Sequence, residues 1–544
     1  MMFDVGHDIF RHGANDVVAP RSGRLRVSVI MWLFCGAFVL FGAKTLYLGL
    51  MGSGESHVRG TTEWNVARAD IVDRNGVDIL AKNIASCDIA LVPSRLASKN
   101  KERAAQLIHD VLPYKYKLSD AIQLVNTATR YKTLAKNVTD EKCAQLRAAH
   151  IDGLDVRRVQ TRKYPKRRLF SHIVGFVGED GHGLEGAERI FDDYLSENRD
   201  SLRLSLDTRI QMAFYEQLSI AMQKYDAKGA MGMLMNSRTG EMLAMVSLPD
   251  FDPENRNLDP IANHLFKPLR GVFEMGSIFK IFNTAMAMEN GINKKYVINK
   301  PYPIYDKNGH VAKRVTDVAT FKPKTPTMSV EEIMLHSCNV GSAQIALDLP
   351  DGTQREFFHR LHLDEKLDLE FGKTERPLMP RKWGPVERAT VSYGHGISVT
   401  PMHLLLAVNA MTNGGIYIYP TLQKRGIGAV RGERVLDPEI SAKLREIMFG
   451  VVEETSGKNA RVPGFRIGGK TGTAEKYAGG ANDKKRNQTA FVGIFPVDAP
   501  QYILLVILDE PKGIKETWNM RTSAWNAVPT AGKIMSSILP LLFE

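Results

Sequence analysis

The chain has 544 residues, 44% hydrophobic and 24% charged, the balance of a globular protein. That excludes a mostly disordered chain, a collagen and a coiled-coil rod, and four cysteines with no C-x-x-C exclude a disulfide scaffold and a structural zinc site. The net charge of +12 suits an anionic surface, but both signs are spread along the chain. No Lys/Arg block alternates with aromatics, so nucleic-acid binding is not expected.

In chain order, the first element is apolar. Val27–Ala43 carries no charge, and the run continues past Lys44 to Leu50. A helix over 27–50 would be about 36 Å long, enough for a ~30 Å hydrocarbon core. Arg21, Arg24 and Arg26 crowd its N-terminal side, which predicts a cytoplasmic tail over 1–26 and an exported remainder. A cleaved signal peptide fits less well, because the polar lead is long and the apolar run exceeds an ordinary h-region. Cys87, Cys143 and Cys338 would then all be exported. Their odd number leaves at least one free or paired with another chain.

Residues 66–92 predict a hairpin about Asn75-Gly76. Residues 100–160 read as a helical insertion with polar faces. Residues 172–178 and 202–207 read as strands flanking a helix over 187–195, and a further amphipathic helix follows Asp207. The texture changes near residue 225. Residues 230–249 read as two strands turning at Arg238-Thr239-Gly240, and 489–496 with 502–511 as two buried strands. Residues 523–542 read as a closing helix. The expected domains are thus 1–26, 27–50, 51–225 and 226–544.

S-x-x-K occurs at Ser98/Lys101 and at Ser277/Lys280. Ser98 lies in a polar stretch with nothing to bury the lysine. Ser277 opens an apolar helical run, where free N–H groups and the positive dipole end sit beside its hydroxyl. Lys280 at i+3 lies over the same face, and burial would lower its pKa and make it a base. S-x-N occurs at Ser98/Asn100, Ser196/Asn198 and Ser337/Asn339, the last between apolar helical segments. K-T-G occurs once, Lys470-Thr471-Gly472, followed by Thr473, in a strand whose glycines permit close approach of another backbone. Each motif is weak alone. The ordered trio within one domain-sized span points to an active-site serine. A competing G-x-G-x-x-G at Gly181–Gly186 is surrounded by Glu179, Asp180 and Glu185, where a pyrophosphate needs positive potential, so dinucleotide binding is not expected.

On these motifs the chain resembles class B penicillin-binding proteins, and within them the division-specific (FtsI-like) D,D-transpeptidases of Gram-negative bacteria. Residues 69–76, 178–188, 239–255, 392–415 and 468–476 carry the likeness, and 100–160 carry it least. Many relatives have Pro at Met275, Gly at Ala69 and Ser at Cys338, which leaves open whether the Cys338 thiol is reactive.

The resemblance implies an α+β fold: one N-terminal transmembrane helix, an elongated pedestal of the dimerisation type, and a serine β-lactamase-like domain with an antiparallel sheet flanked by helices. It implies Ser277 as nucleophile and Lys280 as base, kept neutral by burial and by Lys470. Ser337 would relay a proton between the lysines and the leaving amine, and Asn339 would hold the substrate amide. Lys470, Thr471 and Thr473 would receive the terminal carboxylate. Gly472 lies in the same strand, and the N–H groups of Ser277 and Thr473 would form an oxyanion hole. No metal or organic cofactor is expected. Implied partners are peptidoglycan stem peptides, lipid-linked nascent glycan, β-lactams as inhibitors, a membrane glycan polymerase of the SEDS type and divisome proteins. The implied place is the inner membrane at the septum, with the catalytic domain periplasmic. An elongation-type enzyme and a penicillin-binding sensor or scaffold are the alternatives.

Overall fold

The structure, a computed structural model, describes residues 21–51, 68–127, 130–306, 308–318, 321–426, 428, 430, 432–478 and 481–543. Residues 1–20 of the expected tail and 52–67 of the expected pedestal lie outside them. Arg21–Met51 form one 31-residue helix. Over 29–44 its apolar side chains are exposed, Trp32 at 74% and Phe38 and Phe41 at 75% each. Among the described residues, no helix is long and apolar enough to cross a membrane. The expected segment 27–50 is met as part of this helix.

The remaining chain, Val66–Glu544, forms one compact unit. The Asn75-Gly76 hairpin is present: Ile71–Val72 pair antiparallel with Ile79–Leu91. Gly76 takes φ +74°, and Asp73 Oδ1 accepts from the backbone N–H of Asn75, Val77 and Asp78. The 100–160 expectation is corrected. Helices Lys101–Val111, Leu118–Thr127 and Asp140–Ala148 are joined by two strands, Lys132–Thr139 and Leu154–Lys163, both paired with Ile79–Leu91. Their outer positions carry Lys and Arg in water, which blurs the alternation that marks a strand; the buried partner strand decides the conformation. The expected strand over 172–178 is corrected as well. Ser171–Val174 form a helical turn, and only Phe176–Val177 are extended. Gly175 separates them at φ +72°, pressed so closely on Glu185 that a Cβ would lie 1.9 Å from its carbonyl oxygen.

Phe176–Val177 pair antiparallel with Gly183–Glu185, so the G-x-G-x-x-G segment belongs to a tight hairpin and not to a βαβ unit. Asp207 caps the helix Thr208–Lys224 by accepting from Arg209 N–H at 3.0 Å, and it also accepts from Asn75. Beside the hairpin, the fully buried Glu188 lies between Arg68 Nε (2.9 Å) and Arg162 Nε (2.7 Å), and Arg68 also pairs with Asp192 (2.7 Å).

The pedestal holds two hydrophobic cores. Its outer lobe has a core of its own, built on Ile89, Ala104, Ile108, Leu124 and Leu134, and the Cys87–Cys143 disulfide crosses it. Its inner part, including Ile71, Leu80, Ile173 and Phe176, shares a continuous core with residues far downstream such as Met231, Phe251 and Leu404.

The second sheet is antiparallel, with strands in the order Gly468–Ala478, Ala481–Phe495, Tyr502–Asp509, Gly229–Asn236 and Met242–Leu248. Helices Thr208–Lys224 and Ala527–Phe543 cover one face through Phe214, Leu218, Ile534 and Ile538. Helices Lys280–Glu289 and Pro401–Thr412 pack on the other side through Ile281, Phe282, Leu404 and Leu405. The 208–224 helix thus shares its core with this sheet. The sheet leaves Gly468–Ala478 as an edge strand, and the motif residues collect along it.

Candidate active site

Ser277 sits in a single 3-10 turn, Gly276–Phe279, that runs directly into the helix Lys280–Glu289. The i+3 spacing does what the local geometry requires: Lys280 Nζ lies 2.7 Å from Ser277 Oγ. The lysine is 1% exposed, and burial pushes its pKa down to about 7. The negative charge of Asp317 opposes that shift. Lys280 Nζ also reaches Asn339 Oδ1 at 2.7 Å.

Ser337 occupies the corner between helices Val330–Leu335 and Asn339–Asp348, with φ +59°. Its Oγ accepts from Lys470 Nζ at 3.0 Å. Lys470 is fully buried, and its pKa lies well below the lysine range, first through burial and then through the charge of Lys280. Burial is the first cause for both lysines, and the charge of one opposes protonation of the other.

Glycines let the backbones meet. A Cβ on Gly276 would lie 2.4 Å from Thr473 O, one on Gly472 2.4 Å from Met275 O, and one on Gly394 2.0 Å from Gly276 O. The serine turn is thus wedged directly between the edge strand and the 393–396 loop. Thr471 Oγ1 contacts Ser456 Oγ at 2.9 Å, and Thr473 Oγ1 accepts from Ser523 N–H at 3.1 Å.

The structure brings Ser277, Lys280 and Asn339 into one hydrogen-bonded chain, and Ser337 with Lys470 into a second. The other motif copies stay apart. Lys101 reaches Asn126 Oδ1 at the surface (3.4 Å), and Ser196 and Asn198 bond to backbone carbonyls of their own helix.

Three participants escape sequence reasoning. Asp317 binds the backbone N–H of Asn339 in a short hydrogen bond and accepts from Cys338 Sγ at 3.3 Å. Ser456 and Ser523 hold the two threonines. None carries a motif, and Asp317 lies 22 residues before Asn339. The open question about Cys338 is answered by its surroundings. The thiol is fully buried, caps the Asn339–Asp348 helix by accepting from Gly341 N–H at 3.2 Å, and burial pushes its pKa up to about 12. It is a structural group, not a nucleophile. Among the described residues, no cluster of His, Cys, Asp and Glu is arranged to hold a metal.

A sheet flanked by helices, with a serine and a buried lysine at its edge strand, defines a class of acyl-transfer protein. Comparison with known families places the chain within that class. The model for the penicillin binding protein transpeptidase domain matches residues 230–536, and that for the penicillin-binding protein dimerisation domain matches residues 63–203. The chain belongs to the penicillin-binding protein transpeptidase family. It is similar to a probable peptidoglycan D,D-transpeptidase FtsI of Caulobacter vibrioides, 32% identical over 95% of this chain and 89% of the relative. It is also similar to the peptidoglycan D,D-transpeptidase FtsI of Escherichia coli, 28% identical over 76% of this chain and 73% of the relative. Stage V sporulation protein D of Bacillus subtilis is 29% identical over 87% and 78%. Among solved structures, a peptidoglycan synthetase from Bifidobacterium adolescentis shares the fold, with TM-score 0.65 at 19% identity over 88% of this chain and 95% of that one.

Proposed function

We propose that the chain is a peptidoglycan D,D-transpeptidase that cross-links stem peptides through an ester on Ser277. The observation that carries this is the 2.7 Å contact between Ser277 Oγ and a buried Lys280 whose pKa is about 7. At neutral pH half of such lysines hold a lone pair ready for the serine proton. Ser277 Oγ attacks the carbonyl between two D-alanines while Lys280 takes its proton. The C–N bond breaks as that proton passes from Lys280 by way of Ser337, which Lys470 holds, to the nitrogen of the departing D-alanine. Asn339 holds the peptide amide in line. The N–H groups of Ser277 and Thr473 receive the oxyanion, with Gly472 allowing the turn and strand to approach. Thr471 and Thr473 take the terminal carboxylate, and Lys470 supplies positive potential for it. An amine of a second stem peptide then attacks the ester. β-Lactams acylate Ser277 by the same route.

The finer setting rests on resemblance and on the N-terminal helix. The exposed Trp32, Phe38 and Phe41 suit a signal anchor over 27–50, with the tail 1–26 cytoplasmic and the rest periplasmic, on the inner membrane at the septum. The Cys87–Cys143 disulfide suits an oxidising compartment. The domain division becomes a pedestal from 51 and a transpeptidase domain that begins with the 208–224 helix. Lipid-linked glycan, a SEDS-type polymerase and divisome proteins are the partners this reading implies. The test is intact mass of the full chain after incubation with a penicillin, beside Ser277→Ala and Ser98→Ala. A persistent single adduct lost only in Ser277→Ala is expected. No adduct on any form refutes the acyl-enzyme, and rapid turnover of the drug indicates a β-lactamase.

A further inference from the structure

Acyl transfer to an amine needs one group more than acylation does. The acceptor arrives as an ammonium ion, has no lone pair, and must lose a proton before it attacks. Lys280 and Lys470 stand on Ser277 and Ser337. They are engaged in moving protons to and from the serine and the first leaving group. On the other flank of the nucleophile turn lies a pair that this chemistry leaves unused.

Glu274 precedes Ser277 by three residues. Its Oε1 accepts from Gly396 N–H at 2.8 Å, and its Oε2 lies 3.2 Å from His395 Nδ1. Both side chains are 29% exposed, so they face the solvent from which an acceptor comes. The loop that carries His395 is held firmly against the serine turn. Phe273 and Val399 exchange two backbone hydrogen bonds of 2.9 Å, Gly394 is packed on Gly276 O, and His395 N–H donates to Thr390 O at 3.1 Å. Gly394 and Gly396 take φ +82° and +79°, which turns the chain sharply on both sides of His395. The Tyr393 ring bridges the two groups of bases: its centroid is 5.7 Å from Lys280 Nζ and 5.4 Å from the His395 ring centroid.

We propose that Glu274 and His395 form the acceptor side of the site, which binds the incoming ammonium and takes its proton. This deepens the transpeptidase reading and rests on it. The Glu274 carboxylate is the charge complement of an ammonium ion. By accepting Nδ1–H, it also fixes the imidazole tautomer in which Nε2 carries the lone pair. The ammonium gives one proton to Nε2. The freed nitrogen lone pair attacks the carbonyl carbon of the Ser277 ester, forming the C–N bond. As the C–O bond to Ser277 breaks, the second N–H proton passes through Lys280 Nζ to Ser277 Oγ. The imidazolium then releases its proton to solvent, and the site is restored. The ligand class is a primary aliphatic amine carried on a second peptide.

The test separates the two half-reactions in the full chain. A small acyl-D-alanyl thioester serves as donor and D-alanine as acceptor, and the ratio of transfer to hydrolysis is read at rising acceptor concentration. Glu274→Gln keeps an oxygen for Gly396 N–H and removes the charge; His395→Gln removes the base. We expect the ratio to fall about tenfold in each, through acceptor KM in Glu274→Gln and through the maximal transfer rate in His395→Gln. A ratio equal to that of the unsubstituted chain in both variants overturns the proposal. So does a fall in thioester acylation that matches the fall in transfer, since the pair would then only shape the serine turn. If the unsubstituted chain forms no acyl-enzyme at all, the transpeptidase reading falls and takes this one with it; a changed ratio reports on the acceptor site alone.

Discussion

Acylation of Ser277 should rise with pH through neutrality, because Lys280 acts as a base only when uncharged. Burial brings its pKa to about 7. An ordinary lysine near 10.4 is only about 0.04% neutral at pH 7, whereas one at about 7 is about half neutral, a gain of roughly a thousandfold. For the folded site the neutral fraction climbs from about 9% at pH 6 to about 91% at pH 8, so the second-order acylation rate should increase about tenfold over that interval. The assay is stopped-flow acylation by a fluorescent penicillin between pH 5.5 and 9. Asp317→Asn tests the direction of the effect. The Asp317 charge favours the protonated lysine, so its removal should move the midpoint to lower pH, whatever the loss of the Asn339 contact does to the plateau. A rate that is flat from pH 6 to 8, a midpoint above 9, or a midpoint that rises in Asp317→Asn would refute the reasoning.

The remaining predictions concern how the fold supports the site. Gly472→Ala should force the edge strand away from Met275 O, since the new Cβ would lie 2.4 Å from it; acylation should drop at least tenfold and stability by about 1–3 kcal/mol, read by penicillin binding and thermal melting. Replacing Glu188 by Ala leaves Arg68 and Arg162 buried without their shared carboxylate and should cost about 3–5 kcal/mol in urea unfolding. Cys87→Ser with Cys143→Ser opens a loop of sequence separation 56, a constraint worth about 4 kcal/mol by loop entropy. Because the outer lobe has its own core, proteolysis should accelerate within that lobe while Ser277 is acylated at the unsubstituted rate.

What could be read along the chain was local. The Ser277/Lys280 contact follows from i+3 spacing at a helix start, and the Asn75-Gly76 and Arg238–Gly240 turns follow from residues that tolerate the required dihedrals. The strands 229–236, 242–248 and 502–509 are apolar enough to announce themselves, being buried almost throughout. The strands 132–139 and 154–163 were not legible, because half their side chains face water and only the buried partner strand selects extension over helix.

The same division runs through the site. Sequence alone named Ser277, Lys280, Ser337, Asn339, Lys470, Thr471, Gly472 and Thr473 from ordered motifs and the resemblance they carry. It could not show that two chain segments 22 residues apart join at Asp317, that Cys338 serves as a helix cap, or that Ser456 and Ser523 hold the threonines. Nor could it show how deeply the two lysines are buried. Desolvation depends on everything packed around a group, and burial of Lys280 and Lys470 is the product of a whole domain closing over them. Spacing along a helix is settled by covalent geometry, whereas charge state is settled by tertiary surroundings, and in this protein the chemistry requires both.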